Sequence, residues 1–450
     1  MRFAGFAVLL LALGCSSEES ARPSGSGGKG GSSGGGAGGS AGSGGVAGSG
    51  GSAGGVEWPN SVAPATSDPW LAANHDAIVK MRPRVLALNF VNARPNSEML
   101  ALLQKITAAI REASRPHGDR DASAAPFLEY QIAYAVDLRD ASPPSGWKYE
   151  NSTLYPREEP VEGQWGFDYE RLFTAEYAAL FGIEDPAAPG KKLSLCELSE
   201  KGLVHEVWIY ASADVPDASA AEVLGIQPRY DEGFQKYDVD LNRCAGNGCF
   251  DVEDEIPASC TRTLRIGFVN ATRGVGCYME SLSHGIETIG KSDDIPYLTR
   301  YFPEFGGFDL KQRHGLPFDS WYACADPDCL SYPTTSSVTW KVGGQTGTVD
   351  PYIAVCGNVH FPPNGRQHYD VTNPAQVKSS CRAYRTAGGP GSGDPDELVS
   401  AADWKQNESL AGDCDGPFLV WWWQQFPGAN RVAKDQDGKP MKNWWPFLFY

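Results

Sequence analysis

VLALNFV, Val85–Val91, is apolar at every position except Asn89. An unbroken run of this kind suits a strand buried on both faces, as in a parallel sheet covered by helices. Working outward, Pro95, Asn96 and Ser97 open a predicted helix. Met99, Leu102, Leu103, Ile106, Ile110 and Ala113 recur along it at a 3.6-residue period, and Pro116 closes it. A second strand is predicted over Phe127–Leu138, with Tyr130, Ile132, Tyr134 and Val136 on one face. Helices are predicted near Asp168–Phe181 and over Leu193–Lys201, the latter ending at Gly202. LVHEVWIYA (Leu203–Ala211) and TLRIGFVN (Thr263–Asn270) read as further strands. A glycine turn and a helix to Ile289 follow the second of these.

Strand–helix alternation predicts an α/β fold for residues 58–290, a mainly parallel sheet with flanking helices forming a Rossmann-like layer. Ligands on such sheets bind beyond the carboxyl ends of the strands. The corresponding loops are Asn89–Asn96, Ala211–Pro216 and Asn270–Gly276. From about Lys291 helical periodicity fades and Pro, Gly, Asp and aromatic residues dominate. Residues 291–450 are therefore expected to form an irregular, β-rich, disulfide-stapled C-terminal extension packed on the same domain.

The first fifteen residues, MRFAGFAVLLLALGC, place Arg2 before an apolar core too short to span a bilayer, then small residues and Cys15. This stretch resembles a bacterial lipoprotein signal. The resemblance implies cleavage after residue 14, lipidation of Cys15 and attachment at an outer membrane or cell surface, the membrane being touched through that lipid alone. It departs from the usual pattern, which has Leu three residues before the cysteine where this chain has Ala12. Simple secretion is the alternative. Residues 15–57 then read as anchor and linker. Gly, Ser and Ala make up nearly all of 21–55, a composition that buries too little apolar surface to fold. A coil of that length spans on the order of 30 Å.

Net charge is −17, and no basic patch accompanies it, which disfavours nucleic-acid binding. Ten of the eleven cysteines follow residue 195. An even set in an exported chain reads as disulfides. Cys244–Cys249 and Cys324–Cys329, each enclosing a polar turn, are the pairs the spacing singles out. A four-thiolate zinc site is the competing reading, but the spacing is wider than the common C-x2-C.

Two segments carry candidate chemistry. In GVGCYMESLSHGIETIG (Gly274–Gly290), Glu280, His284 and Glu287 fall on one helix face, opposite Val275, Tyr278, Met279, Leu282, Ile286 and Ile289. A histidine between two carboxylates can hold a divalent metal or act in acid–base chemistry. The plainer reading is a solvated amphipathic face with an exposed i,i+4 pair. In CGNVHFPPNGRQHYD (Cys356–Asp370), Pro362, Pro363, Asn364 and Gly365 reverse the chain. His360 and His368 can then share a metal, with Asp370 as a third ligand. If this turn meets the helix, His284, His360 and a carboxylate would make the three protein ligands of a catalytic zinc site. Glu280 or Glu287 would be its catalytic base.

Other signals are weaker. His205 and Glu206 lie at a strand's amino end and read as structural. DVDLN (Asp238–Asn242) matches the start of a calcium loop, but Arg243 and Cys249 occupy positions that need glycine and glutamate. Gly274-x-Gly276 lacks the third glycine of a dinucleotide site, so no nucleotide is expected. No G-x-S-x-G, H-E-x-x-H or Walker A motif occurs in the sequence. VWWWQQFPG (Val420–Gly428) and NWWPFLFY (Asn443–Tyr450) suit a packed C-terminal strand or hairpin, or a sugar-contacting surface. Two functions compete: a tethered, metal-assisted hydrolase of an extracellular peptide or glycan polymer, with zinc favoured, and a non-catalytic carbohydrate-binding or adhesion lipoprotein.

Overall fold

VLALNFV does form a central strand. The computed structural model describes residues 55–60, 68–139, 169–211, 223–240, 245–246, 248, 250, 256–389 and 397–449. The predicted signal, Cys15, the tether, the Cys244–Cys249 pair and most of the Ala211–Pro216 loop lie outside them. Strand β1 (Arg84–Asn89) sits in a six-stranded sheet with β2 (Gln131–Asp137), β3 (Glu206–Ala211), β4 (Val223–Tyr230), β5 (Lys236–Asp240) and β6 (Leu264–Asn270). The spatial order is β2-β1-β3-β6-β4-β5. The first four of these pair in parallel, while β4 is antiparallel to both β6 and β5. Side chains alternate across β1: Val85 and Ala87 enter one core, and Leu86 and Leu88 enter the core on the opposite face. Both faces are covered, which is why the run shows no polar alternation.

Strand β2 departs from its expected single face. Val85 pairs with Ile132 and Leu86 with Tyr134, so the ladder skips a residue. This bulge turns Tyr130 and Ile132 toward one core and Tyr134 and Val136 toward the other. The β4–β5 edge hairpin was not anticipated from the sequence.

Helix α1 (Asn96–Ala113) buries Met99, Leu103, Ile106 and Ile110, matching the period. Helix α2 (Ala175–Phe181) and helix α3 (Leu195–Glu200) are shorter than expected. A Ser194/Glu197 capping box starts α3, and Gly202 follows its C-cap at φ 62°. Helix α4 (Val275–Lys291) returns from β6 and packs Val275, Tyr278, Met279, Leu282, Ile286 and Ile289 into the core. Its first amides are capped from afar: the Asp413 carboxylate accepts from Gly274 N–H at 2.7 Å and Gly276 N–H at 2.8 Å. The Cys277–Cys414 disulfide fixes the same junction.

Beyond residue 291 the chain is less irregular than expected. It holds helix α5 (Pro296–Gly306), an antiparallel sheet of β7 (Leu330–Thr334), β8 (Ser337–Val342) and β9 (Gln345–Val349), and helix α6 (Gly416–Gln424). The tryptophan cluster is helical, not a strand or hairpin. Helix α6 is buried on all sides against α1 and α4, as an apolar helix inside a core should be. Trp421, Trp422, Trp423, Trp444 and Trp445 are all buried. Within the helix, Trp422 donates its indole N–H to Gly357 O at 2.9 Å and Trp423 donates to Ser283 Oγ at 2.9 Å. These rings close the core and offer no face to a sugar.

Disulfides join Cys196–Cys260, Cys277–Cys414, Cys324–Cys329 and Cys356–Cys381. The local Cys324–Cys329 pair is the one the spacing suggested. This many bonds points to an oxidising environment. Among the described residues, no helix is long and apolar enough to cross a membrane.

Candidate metal centre

His284 lies nine positions beyond the first residue of α4, about 13 Å along the axis. The candidate site therefore sits on the flank of the helix away from the sheet, not at the strand ends where α/β sheets usually bind ligands. Residues 356–370 cover that flank. Cys356 is tied to Cys381. Gly357 adopts φ 79°, and a Cβ there would stand 2.1 Å from Phe361 O. Asn358 N–H donates to Phe361 O at 3.0 Å, and Phe361 N–H donates back to Asn358 O at 3.2 Å. The Asn358 side chain donates to Gly306 O at 3.1 Å. This tight bend thrusts His360 over α4.

Glu280, His284 and His360 come together there, with one ligand atom from each lying within 4.8 Å of the others. His360 Nε2 is 3.2 Å from His284 Nε2 and 3.8 Å from Glu280 Oε1. Two ligands about 2.0 Å from a tetrahedral ion stand about 3.3 Å apart, so the two imidazoles are already at sharing distance.

The other side of His360 explains its orientation. Its Nδ1 is 3.0 Å from His368 Nδ1, and His368 Nε2 is 3.4 Å from Tyr322 O. One proton arrangement satisfies this chain. His368 donates from Nε2 to the carbonyl and accepts at Nδ1 from His360 Nδ1–H. The His360 Nε2 lone pair is then aimed at His284 and Glu280. Burial, with His284 and His368 adding to it, pushes the His360 pKa down to about 2. Burial also lowers that of His368. Both rings are thus held neutral, the form that binds metals.

The expected roles need correcting in three places. His368 stands outside the group that could hold an ion, its Nδ1 lying 3.0 Å from His360 Nδ1. Asp370 does not join the group. It accepts from Arg366 N–H at 3.0 Å and from Arg366 Nε at 2.6 Å, closing the turn. Glu287 is not placed as a base. Its carboxylate accepts from Val359 N–H at 2.8 Å and from Tyr322 O–H at 3.0 Å, so it pins the covering loop to the helix. Burial and that carboxylate hold the Tyr322 phenol well above its ordinary pKa, so it remains a donor. Glu280 stands in the group that could hold an ion. The solvated-face reading of α4 also fails, since Glu280 and Glu287 are both buried.

The sequence reading missed two side chains. Tyr322 organises Glu287, and Tyr369 sets its hydroxyl 2.7 Å from His360 Nε2. Tyr369 was visible only as the neighbour of His368.

A second cluster, Cys277, Asp413 and Cys414, has ligand-like spacing. Its sulfurs are bonded to each other and its carboxylate caps α4, so it offers no thiolate. His205 and Glu206 are structural, as expected. His205 Nδ1 accepts from Arg84 N–H at 2.9 Å. Glu206, paired with Arg265, accepts from Tyr130 O–H at 2.7 Å and Trp208 Nε1–H at 2.9 Å. Asp238 lies on β5, where its Oδ1 accepts from Val239 N–H at 2.9 Å. Comparison with protein-family models, with curated proteins and with solved structures finds no match to this chain.

Proposed function

We propose that Glu280, His284 and His360 bind one divalent metal ion, zinc in the first instance, and that the chain is a metal-assisted hydrolase of an extracellular polymer. The observation that carries this reading is the convergence of two imidazole nitrogens and a carboxylate from two distant segments. Two nitrogens 3.2 Å apart need a proton or a cation between them. Three protein ligands leave a further position for an exchangeable oxygen ligand, and a water that enters it has its pKa lowered toward neutrality by the dication. The donor set contains no thiolate and suits a borderline metal. The four disulfides support export, and export limits substrates to what lies outside the cell. Lipid attachment at Cys15 belongs to the same proposal, resting on the signal-like first fifteen residues.

Metal analysis of the purified chain tests the centre. One zinc per chain is expected, lost in both His284→Ala and His360→Ala. Protein that takes up no divalent ion from a metal-supplemented buffer removes the reading. Peptide and glycan polymers, assayed with and without chelator, then separate a hydrolase from a structural metal site.

A further inference from the structure

Resting on that metal centre, we infer that Tyr369 is its fourth ligand, held at the ion in the resting protein and exchanged for an oxygen of the substrate. Its hydroxyl is 2.7 Å from His360 Nε2, within about 0.6 Å of the edge of a zinc tetrahedron that already includes His284. The position is built. Tyr369 N–H donates to His360 O at 2.8 Å, tying the two residues back to back. Its ring centroid lies 4.3 Å from that of His360. Arg366 and Asp370 clamp the turn on which it sits. Its φ of 61° is a conformation that bulky residues seldom adopt, and one that persists where the surroundings impose it.

The other three candidate ligands are half-buried or buried, whereas Tyr369 is 47% exposed. It is therefore the one that solvent or substrate can reach and displace. As the oxygen–metal bond forms, the phenolic proton passes to solvent water. As substrate arrives, that bond breaks and the phenol takes a proton back.

The full chain loaded with one equivalent of Cu²⁺ tests this. A visible tyrosine-to-copper charge-transfer band is expected in the wild type and in Tyr322→Phe. In Tyr369→Phe the band should vanish while one copper per chain remains, and zinc affinity should fall about tenfold or more. Acetohydroxamate, a bidentate oxygen ligand, should bleach the wild-type band. A band and a zinc affinity unchanged in Tyr369→Phe would overturn the assignment, as would a band lost in Tyr322→Phe instead. A band that acetohydroxamate leaves intact would overturn the exchange. A wild-type chain that binds no copper or zinc would defeat the underlying metal reading, a result distinct from all of these.

Discussion

His360 Nδ1 lies 3.0 Å from His368 Nδ1, and this contact decides which face of the His360 ring can meet an ion. Because Nδ1–H is committed to His368, the Nε2 lone pair faces His284, Glu280 and the Tyr369 hydroxyl. Outer partners of this kind set the tautomer and raise the basicity of a ligand.

His368→Ala should therefore weaken zinc binding by about 10- to 100-fold without removing any ligand. Competition against a chromophoric chelator measures it. His368→Asn, which can still present an acceptor to Nδ1–H, should recover part of the loss. Equal affinity in the Ala variant and the wild type would show that the contact does not orient the ring.

Glu287 holds the covering loop through Val359 N–H and Tyr322 O–H. Glu287→Ala leaves both donors unpaired in a buried place, a cost of about 1–3 kcal/mol for each buried group. Urea denaturation should show the midpoint falling, with a smaller drop for Glu287→Gln, which keeps an acceptor. Zinc affinity should fall alongside, since the same loop carries His360. A midpoint unmoved in the Ala variant would mean the loop is held by other contacts.

Gly357→Ala asks the bend to absorb a Cβ 2.1 Å from Phe361 O at a backbone conformation that L residues resist. The bend must open, and His360 moves with it. We expect loss of stoichiometric zinc while far-ultraviolet circular dichroism stays native. Full zinc occupancy in this variant would show that the bend does not position the ligand.

Stability should fall as the medium is acidified. Burial drives the His205 pKa well below its ordinary value, with Arg84 and Arg262 adding to the effect, and its Nδ1 already accepts a backbone N–H. His75, also buried, is lowered to about 3. Below about pH 6.5 the unfolded chain binds protons at these rings and the native protein does not. The stabilisation is therefore complete above that pH and shrinks as pH drops, by up to about 1.4 kcal/mol per pH unit for each ring. Denaturation midpoints measured from pH 8 to pH 4 should decline, and His205→Leu should shallow the slope. An identical slope in that variant would exclude His205 as a contributor.

Local periodicity and punctuation were enough to read β1, α1, β3, β6 and α4, with the two-sided burial of β1 and the core-facing stripes of the two helices. Each of those patterns depends only on neighbours in sequence: a two-sided apolar run, a 3.6-residue stripe, a glycine after a helix. The Cys324–Cys329 bond was legible for the same reason, since its ends lie only five positions apart. The two segments that bring Glu280, His284 and His360 together were also visible, because histidines and carboxylates clustered in each.

Tertiary structure alone decided the rest. Whether Glu280 faces solvent or an ion depends on a loop some eighty residues further along the chain, and no pattern inside α4 records that cover. The roles within the 356–370 segment followed from which nitrogen of each ring was already occupied. The tryptophans of α6 form a helix because α1, α4 and the chain's last turns enclose them on every side, and a segment buried all round has no amphipathic period to betray its type.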